Sequence, residues 1–442
     1  MSALAKYFVI RGKHVTGSDL HASDITKDLQ QHQVQFYQEH HADHLSDSVE
    51  LVIHSPAVPT TNPEYVRAQE LGIPVMSYPQ ALGELSKHYS TIVVTGTHGK
   101  STTTAMLGLI LEAAGYDPTV IVGSLVPSFE HGNVRVGNGR FLVIEGCEHQ
   151  ANMLNLHPEM IVLTSIEADH LDYYKTLENV RAAFQTFVDR LNGTGMVVVN
   201  ADDLVSQTLQ IVHAISYGTK TSAHYHYRQR EVGDGLQTAL LYRMVPEEHL
   251  GSLELRVPGS FNMANALAAV SAAMELGIPF EICARTLSKF SGIWRRFERV
   301  GTYRGTDVIS DYGHHPTAVR VTLEAAREFF PNKKILLCFQ PHQHARTEAL
   351  FDEFVEALSG ADGLVVPEIY RVEGRTENET VSSLRLVEAI QKRRPELRVH
   401  HAQTFEDAEA LLERLSEQEP DCVIVIQGAG SIDELARKMT KT

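Results

Sequence analysis

The stretch VVTGTHGKSTTTAML, residues 93–107, constrains this chain most. A β-branched run enters a turn holding two glycines and a lysine, and an apolar helical pattern follows. Such a strand–turn–helix puts free backbone N–H groups and a helix N-terminus at the carboxyl end of a strand, which attracts phosphate. Lys100 can reach terminal phosphates as a point charge, and Ser101 or Thr102 can offer a hydroxyl to a magnesium ion. The standard phosphate loop has four residues between its first glycine and the Gly-Lys pair. Here Gly96 and Gly99 enclose only Thr97 and His98, and Val94 stands where the first glycine belongs. A plain strand–turn–helix is the alternative, but Gly, Gly, Lys and Ser in this context favour phosphate. The helix is expected to show one apolar face, Ala105, Met106, Leu109, Ile110 and Ala113, and to stop at Gly115.

Short apolar runs alternate with helical patterns almost throughout, so the chain is predicted to be α/β with mostly parallel sheets. Three blocks separate. Residues 1–88 carry strands at KHVTGSD and ELVIHS and a helix near PQALGELSKHY. Residues 89–298 carry the phosphate loop, the strands FLVIE, MIVLTSI and GMVVVN, and the helix NMANALAAVSAAMELG. Within this block, residues 220–257 alternate polar and apolar side chains and read as an antiparallel excursion. Residues 299–442 carry the strands KILLCF, GLVVP and DCVIVI.

A net charge of −16 argues against nonspecific binding to nucleic acid or anionic membrane. The four cysteines form no C-x-x-C pair and read as reduced thiols of a cytoplasmic protein. No apolar run approaches the length of a membrane span.

Further along, acidic residues end two strands: Glu145 in FLVIEGCEHQ, and the Glu167-Ala-Asp169-His170 run in LTSIEADHLDYY, with Asp172 close behind. At the carboxyl ends of parallel strands they face the crevice where α/β sheets bind ligands; a solvated end or a helix cap is the alternative. Asn262 and Asn265 share a helix face, and their amides can both donate and accept; capping by Asn262 is the alternative. Arg296, in GIWRRFERVG, is a fork suited to phosphoryl oxygens or part of a surface basic cluster.

Together these segments resemble the Mur ligase family. TGTHGKSTTTAM is similar to its ATP loop, in which the short glycine spacing is the rule. ISDYGHHPTAV and CFQPHQHARTEALFDEF resemble its most specific signature, that of the alanine-adding branch. The resemblance implies three α/β domains: a Rossmann-like UDP-sugar domain (1–88), a P-loop ATPase-like central domain (89–298) and a Rossmann-like amino-acid domain (299–442). It implies a cytoplasmic ligase in peptidoglycan precursor synthesis, using ATP and Mg²⁺ to join L-alanine to UDP-N-acetylmuramate through an acyl phosphate. A monomer or weak homodimer without nucleic-acid or membrane partners is expected. Nucleotide binding falls to Gly96, Thr97, His98, Gly99, Lys100, Ser101, Thr102, Asn262 and Asn265. Magnesium falls to Ser101, Glu145 and His170. Lys100, Arg296, Asp311 and His314 are the expected catalytic residues, with Asp311 orienting ATP or its metal across the domain gap. Ser18, Asp19, Ser55, Tyr312 and Arg346 are expected at the substrates, Arg346 by bidentate pairing with a carboxylate.

The chain departs from the family pattern at named places. Gln185 stands where many members carry a lysine, and the alanine-adding branch resembles this chain in lacking it. Phe261 replaces a frequent histidine, Ser310 the first Asp of the Asp-Asp-Tyr signature, Gln343 an arginine near the substrate, and Ser431 a common Asp. A strand and a G-x-G-G-x-G turn would precede Met1 in the family, so the first domain is expected to be incomplete. The alternatives are a sister ligase, such as one recycling murein tripeptide, and a nucleotide-binding homologue without activity.

Overall fold

The computed structural model describes residues 1–233, 235–371 and 381–441. The latter part of the VPEIYRVEGRTE segment and the side chain of Asp172 lie outside the described residues.

The central block is built on a ten-stranded sheet. The phosphate-loop strand Ser90–Thr95 lies in its middle, parallel to Phe141–Gly146 on one side and Met160–Leu163 on the other. Parallel pairing continues through Met196–Asn200 and Ala214–Gly218. Buried on both faces, these strands need near-continuous β-branched and apolar residues, and IVV at 92–94 and VVV at 197–199 supply them. Side chains alternate between two cores: Ile92 and Val94 pack with Met106 and Ile110, whereas Val93 packs with Phe184 and Phe187. The expected antiparallel excursion forms: Tyr225–Gly233, Leu236–Arg243 and Glu248–Leu255 pair as a meander at the sheet edge.

The loop helix, Lys100–Ala113, corrects one expectation. It is not amphipathic with a single inward face. Ser101 to Gly108, Ile110 and Leu111 are all buried, while Ala113 is exposed. The helix is enclosed by the sheet and by helix Ser260–Glu275, whose Ala266, Ala268, Ala269, Ala272 and Ala273 are small enough for close approach. Gly108 permits contact with the sheet, since a Cβ there would press on the Val120 side chain. Fully burying Leu107, Ile110 and Leu111 contributes roughly 1.5–3 kcal/mol each, enough to hold the helix N-terminus in place at the strand ends.

In the third block, Thr306–Asp311, Cys422–Gln427, Lys334–Phe339, Gly363–Pro367 and Arg398–Ala402 form a parallel sheet with Glu298–Tyr303 antiparallel at its edge. The first block shows parallel strands in two separate pairs: Thr16–Asp19 with Gln35–Gln38, and Val52–His54 with Val75–Ser77. It joins the central block through Lys6, a buried ammonium paired with Asp28 that also donates to the His131 carbonyl.

Candidate active site

Two glycines let the loop thread a narrow passage. Gly96 (φ +135°) and Gly99 (φ +81°) both have left-handed backbones. A Cβ on Gly96 would run into Thr164 Oγ1 and the Ser165 backbone, and one on Gly99 would run into Asn265 Oδ1. The loop is pinned by Thr97 N donating to Ser165 O (2.8 Å) and Glu167 N donating to Thr97 Oγ1 (2.9 Å). Lys100, at the helix N-terminus, folds over the loop: Nζ donates to Gly96 O (2.6 Å) and Thr97 O (3.1 Å) and lies 2.8 Å from Glu148 Oε2. Burial works against its ammonium, but Glu148 and neighbouring acidic groups more than offset this and raise its pKa. The lysine therefore stays charged.

The expected magnesium set is divided. Ser101 Oγ donates to Glu145 Oε2 (3.0 Å), and Gly123 N donates to the other oxygen of Glu145. His170 does not join them. Its Nε2 lies 3.6 Å from Glu148 Oε1 and 3.8 Å from Asp169 Oδ2, and the three group together. The two glutamates are pulled in opposite directions. Burial raises Glu145, only partly countered by Gly123, Lys100, Ser101 and Arg296; Glu148 is pushed up by burial too, but Lys100 and His170 bring it below its ordinary value. The hydroxyl of Ser101 and the Glu145 carboxylate are hard oxygens of the kind magnesium takes, so the residues present fit that ion. Glu148 was not anticipated; its place three residues after Glu145, beyond the strand end, was the only signal.

Asn262 and Asn265 lie buried beside the loop. Asn262 Nδ2 donates back to Pro258 O (2.7 Å), and Asn265 Nδ2 donates to Asn262 Oδ1 (3.3 Å). Gly259, not Asn262, is the N-cap residue, so the capping alternative is not realised.

Arg296 is half-buried rather than part of a surface cluster. Its guanidinium stacks on the Tyr312 ring, 4.7 Å from the centroid, and Arg295 lies 5.0 Å from the same ring. Ser124 Oγ donates to Trp294 O (2.8 Å), tying this segment to the turn whose Gly123 holds Glu145. His314 Nδ1 meets Tyr312 O at 3.1 Å. Removal from water, then Arg346, draws His314 well below the ordinary histidine range, so it is neutral at pH 7.

Two expectations for this block need correction. Asp311 does not face the domain gap. Its Oδ2 accepts from Phe297 N (2.9 Å), and its Oδ1 accepts from Gly313 N (2.8 Å), Gln427 Nε2 (2.9 Å) and Thr322 Oγ1 (3.3 Å). It braces the turn that carries Tyr312 and His314. Arg346 is engaged by the protein itself, donating to Asp169 Oδ1 from Nη2 (3.0 Å) and Nε (3.3 Å).

In the first block, Ser18 Oγ donates to Glu64 Oε2 (2.7 Å) and meets His40 Nδ1 (2.8 Å). Asp19 accepts from His21 N, and Ser55 Oγ accepts from Ala57 N. These three residues stand at or just past the carboxyl ends of the parallel strands Thr16–Asp19 and Val52–His54.

Comparison with known proteins matches this arrangement along nearly the whole chain. Residues 1–90 match the Mur ligase family catalytic domain, 94–273 the Mur ligase middle domain and 295–430 the Mur ligase, glutamate ligase domain. The UDP-N-acetylmuramate–L-alanine ligase of Clostridium novyi is 37% identical over 436 residues, covering 98% of this chain and 93% of that protein. The enzyme of the same name from Syntrophotalea carbinolica is 38% identical, covering 100% and 95%. This chain belongs to the Mur ligase family. Among solved structures, the UDP-N-acetylmuramate-alanine ligase of Thermotoga maritima superposes with a TM-score of 0.85 at 29% identity, covering 100% of this chain and 96% of that one. A murein peptide ligase from Psychrobacter arcticus, 21% identical with a TM-score of 0.70 over 100% and 96% of the two chains, shares the fold.

The departures from the Mur ligase pattern have local answers. Ser310 Oγ donates to Asp433 Oδ1 (2.6 Å), and Asp433 also pairs with Arg437 (3.2 Å), so a carboxylate reaches this place from the last helix. Gln343 takes a left-handed backbone (φ +71°) ahead of helix His344–Ala349, and its N–H donates to Tyr370 O (3.0 Å). Arg295, unanticipated, is buried and donates to the carbonyls of Gly428 and Gly430, closing the third sheet over the Trp294–Arg296 segment. Phe261 packs partly against the third-block core.

Proposed function

We propose that this chain is a cytoplasmic, ATP-dependent ligase that joins L-alanine to the carboxylate of UDP-N-acetylmuramate in peptidoglycan precursor synthesis. The observation that carries this reading is whole-length similarity to enzymes of that name, with identities of 37% and 38%. No described helix is long and apolar enough to cross a membrane. We assign residues 1–88 to the UDP-sugar, 89–298 to ATP and 299–442 to the amino acid.

In this reading the loop N–H groups of Gly96 to Lys100 and the following helix N-terminus receive the ATP phosphates. Lys100 then exchanges its loop carbonyls for phosphate oxygens. Asn262 and Asn265 lie on the adenine side. Ser101 and Glu145 would hold Mg²⁺, with His170 beside Glu148; the ion supplies charge neutralisation at the phosphates. A carboxylate oxygen of the muramate attacks the γ-phosphorus, ADP departs, and the acyl phosphate forms while Lys100 and Arg296 meet the developing charge. The neutral amine of L-alanine attacks the acyl carbon, and inorganic phosphate leaves with the bonding electrons and takes up the proton the nitrogen gives up. Tyr312 and His314 position the amine, with His314 uncharged and able to accept a hydrogen bond. Arg346 holds Asp169 and so ties the third block to the central one beside the loop. Asp311 serves by holding the Tyr312–His314 turn. Docking of the third block on the loop excludes water, which would hydrolyse the acyl phosphate.

Phosphate release should require ATP, UDP-N-acetylmuramate and L-alanine together. Release that is indifferent to L-alanine would refute the assignment.

A further inference from the structure

Three side chains from separate elements converge beside the ATP loop. His98 comes from the loop, Glu167 from the turn after strand Met160–Leu163, and His315 from the cap of helix Pro316–Phe329. His98 Nε2 lies 3.6 Å from Glu167 Oε2, and His315 Nδ1 lies 3.9 Å from the same oxygen. One donor atom from each residue falls within 4.8 Å of the other two. Tetrahedral zinc with bonds of about 2.0–2.1 Å places neighbouring donors roughly 3.3 Å apart. Both glutamate–histidine separations are thus within about 0.6 Å of ligating distance, and the third separation is within about 1.5 Å of it.

The donors are also poorly satisfied as they stand. His98 Nε2 is buried without a hydrogen-bond partner, although it points toward a carboxylate. His315 is 7% exposed, and its Nδ1 receives only a long contact from Thr317 N at 3.3 Å. Ligation through Nδ1 would replace that contact and keep the proton on Nε2. Glu167 accepts from Thr317 Oγ1 (2.8 Å), which fixes its orientation. Two imidazoles and one carboxylate suit Zn²⁺ and its neighbours rather than Mg²⁺, which prefers oxygen alone.

We propose that His98, Glu167 and His315 form a site for a divalent transition-metal ion of the zinc class, with one coordination position left to water. It is distinct from the Ser101–Glu145 oxygens. An ion there would tie the ATP loop to the third block, since His98 and His315 belong to opposite sides of that junction.

The test uses the full chain, stripped by chelator and then held in excess Mg²⁺. Calorimetric titration with Zn²⁺ should show one equivalent that Mg²⁺ does not displace, and Co²⁺ should give the intense visible bands of four-coordinate geometry. His98→Ala and Glu167→Gln should each weaken binding at least tenfold, while Glu148→Gln leaves it within twofold. Failure of the unmodified chain to bind Zn²⁺ in excess Mg²⁺ would overturn the proposal. So would an equivalent that survives both substitutions in folded protein, or one lost only with Glu148→Gln. Because binding is read directly, these outcomes are independent of whether the chain ligates L-alanine.

Discussion

Asp169 and Arg346, 177 residues apart, meet as an ion pair 3.0 Å long, with each side chain 8% exposed. The pair crosses from the central block to the third beside the ATP loop. A carboxylate already occupies the guanidinium assigned to a substrate carboxylate. Burial opposes the charge of Asp169, but Arg346, His170 and His314 hold its carboxyl far below the usual range. Removing one partner of such a pair leaves a charge buried alone, which costs about 3–5 kcal/mol. Arg346→Ala should lower the thermal midpoint by several degrees, and adding Asp169→Asn should restore part of it. Calorimetry on the single and double variants checks this; independent, additive losses would contradict the coupling.

Gly99 is expected to tolerate no side chain. A Cβ there meets Asn265 Oδ1, and the φ of +81° strains any L-residue. Gly99→Ala should weaken ATP binding more than tenfold while far-UV circular dichroism stays unchanged, because the helix behind the loop is held by its own core. Fluorescent-nucleotide titration provides the measurement.

Asp311→Ala should act on stability. It removes acceptors from two backbone N–H groups, Gln427 and Thr322. Leaving buried donors unpaired costs about 1–3 kcal/mol per group. Urea unfolding of the variant should show an early transition of the third block.

Acid should loosen this junction in two steps. His314 faces Tyr312, His342, Arg346 and Asp169, and its pKa is lowered in the fold. The unfolded chain then binds more protons, so this contribution is present above the ordinary value of 6.5 and is lost as pH falls below it. Asp169, also lowered, contributes above its ordinary value of 3.8 and loses that contribution as pH falls further. The thermal midpoint should fall between pH 7 and 5, and His314→Gln should flatten that part of the profile. A midpoint rising over the same interval would contradict the neutral imidazole.

The loop and the sheet around it were legible because their signals are local. Glycines at 96 and 99, a β-branched strand before them and a helix after them lie within one short segment. The antiparallel meander was legible from its period of two. The single-face expectation for Lys100–Ala113 failed because a helix covered by both a sheet and another helix needs apolar or small residues all round, and threonines at 102–104 disguised this. Asp169 with Arg346, and Glu167 with Thr317, pair across 177 and 150 residues, so no sequence spacing could reveal them. Asp311 was expected to reach across the gap because three of its four donors, from Phe297, Thr322 and Gln427, come from other segments of the chain.

The most direct measurement is phosphate release by the purified chain with Mg-ATP, UDP-N-acetylmuramate and L-alanine, beside Lys100→Ala. Stoichiometric release that needs both acceptor substrates, reduced at least a hundredfold in the variant, is the predicted result. Release without UDP-N-acetylmuramate, or wild-type turnover by Lys100→Ala, would contradict the ligase assignment and the place given to the loop.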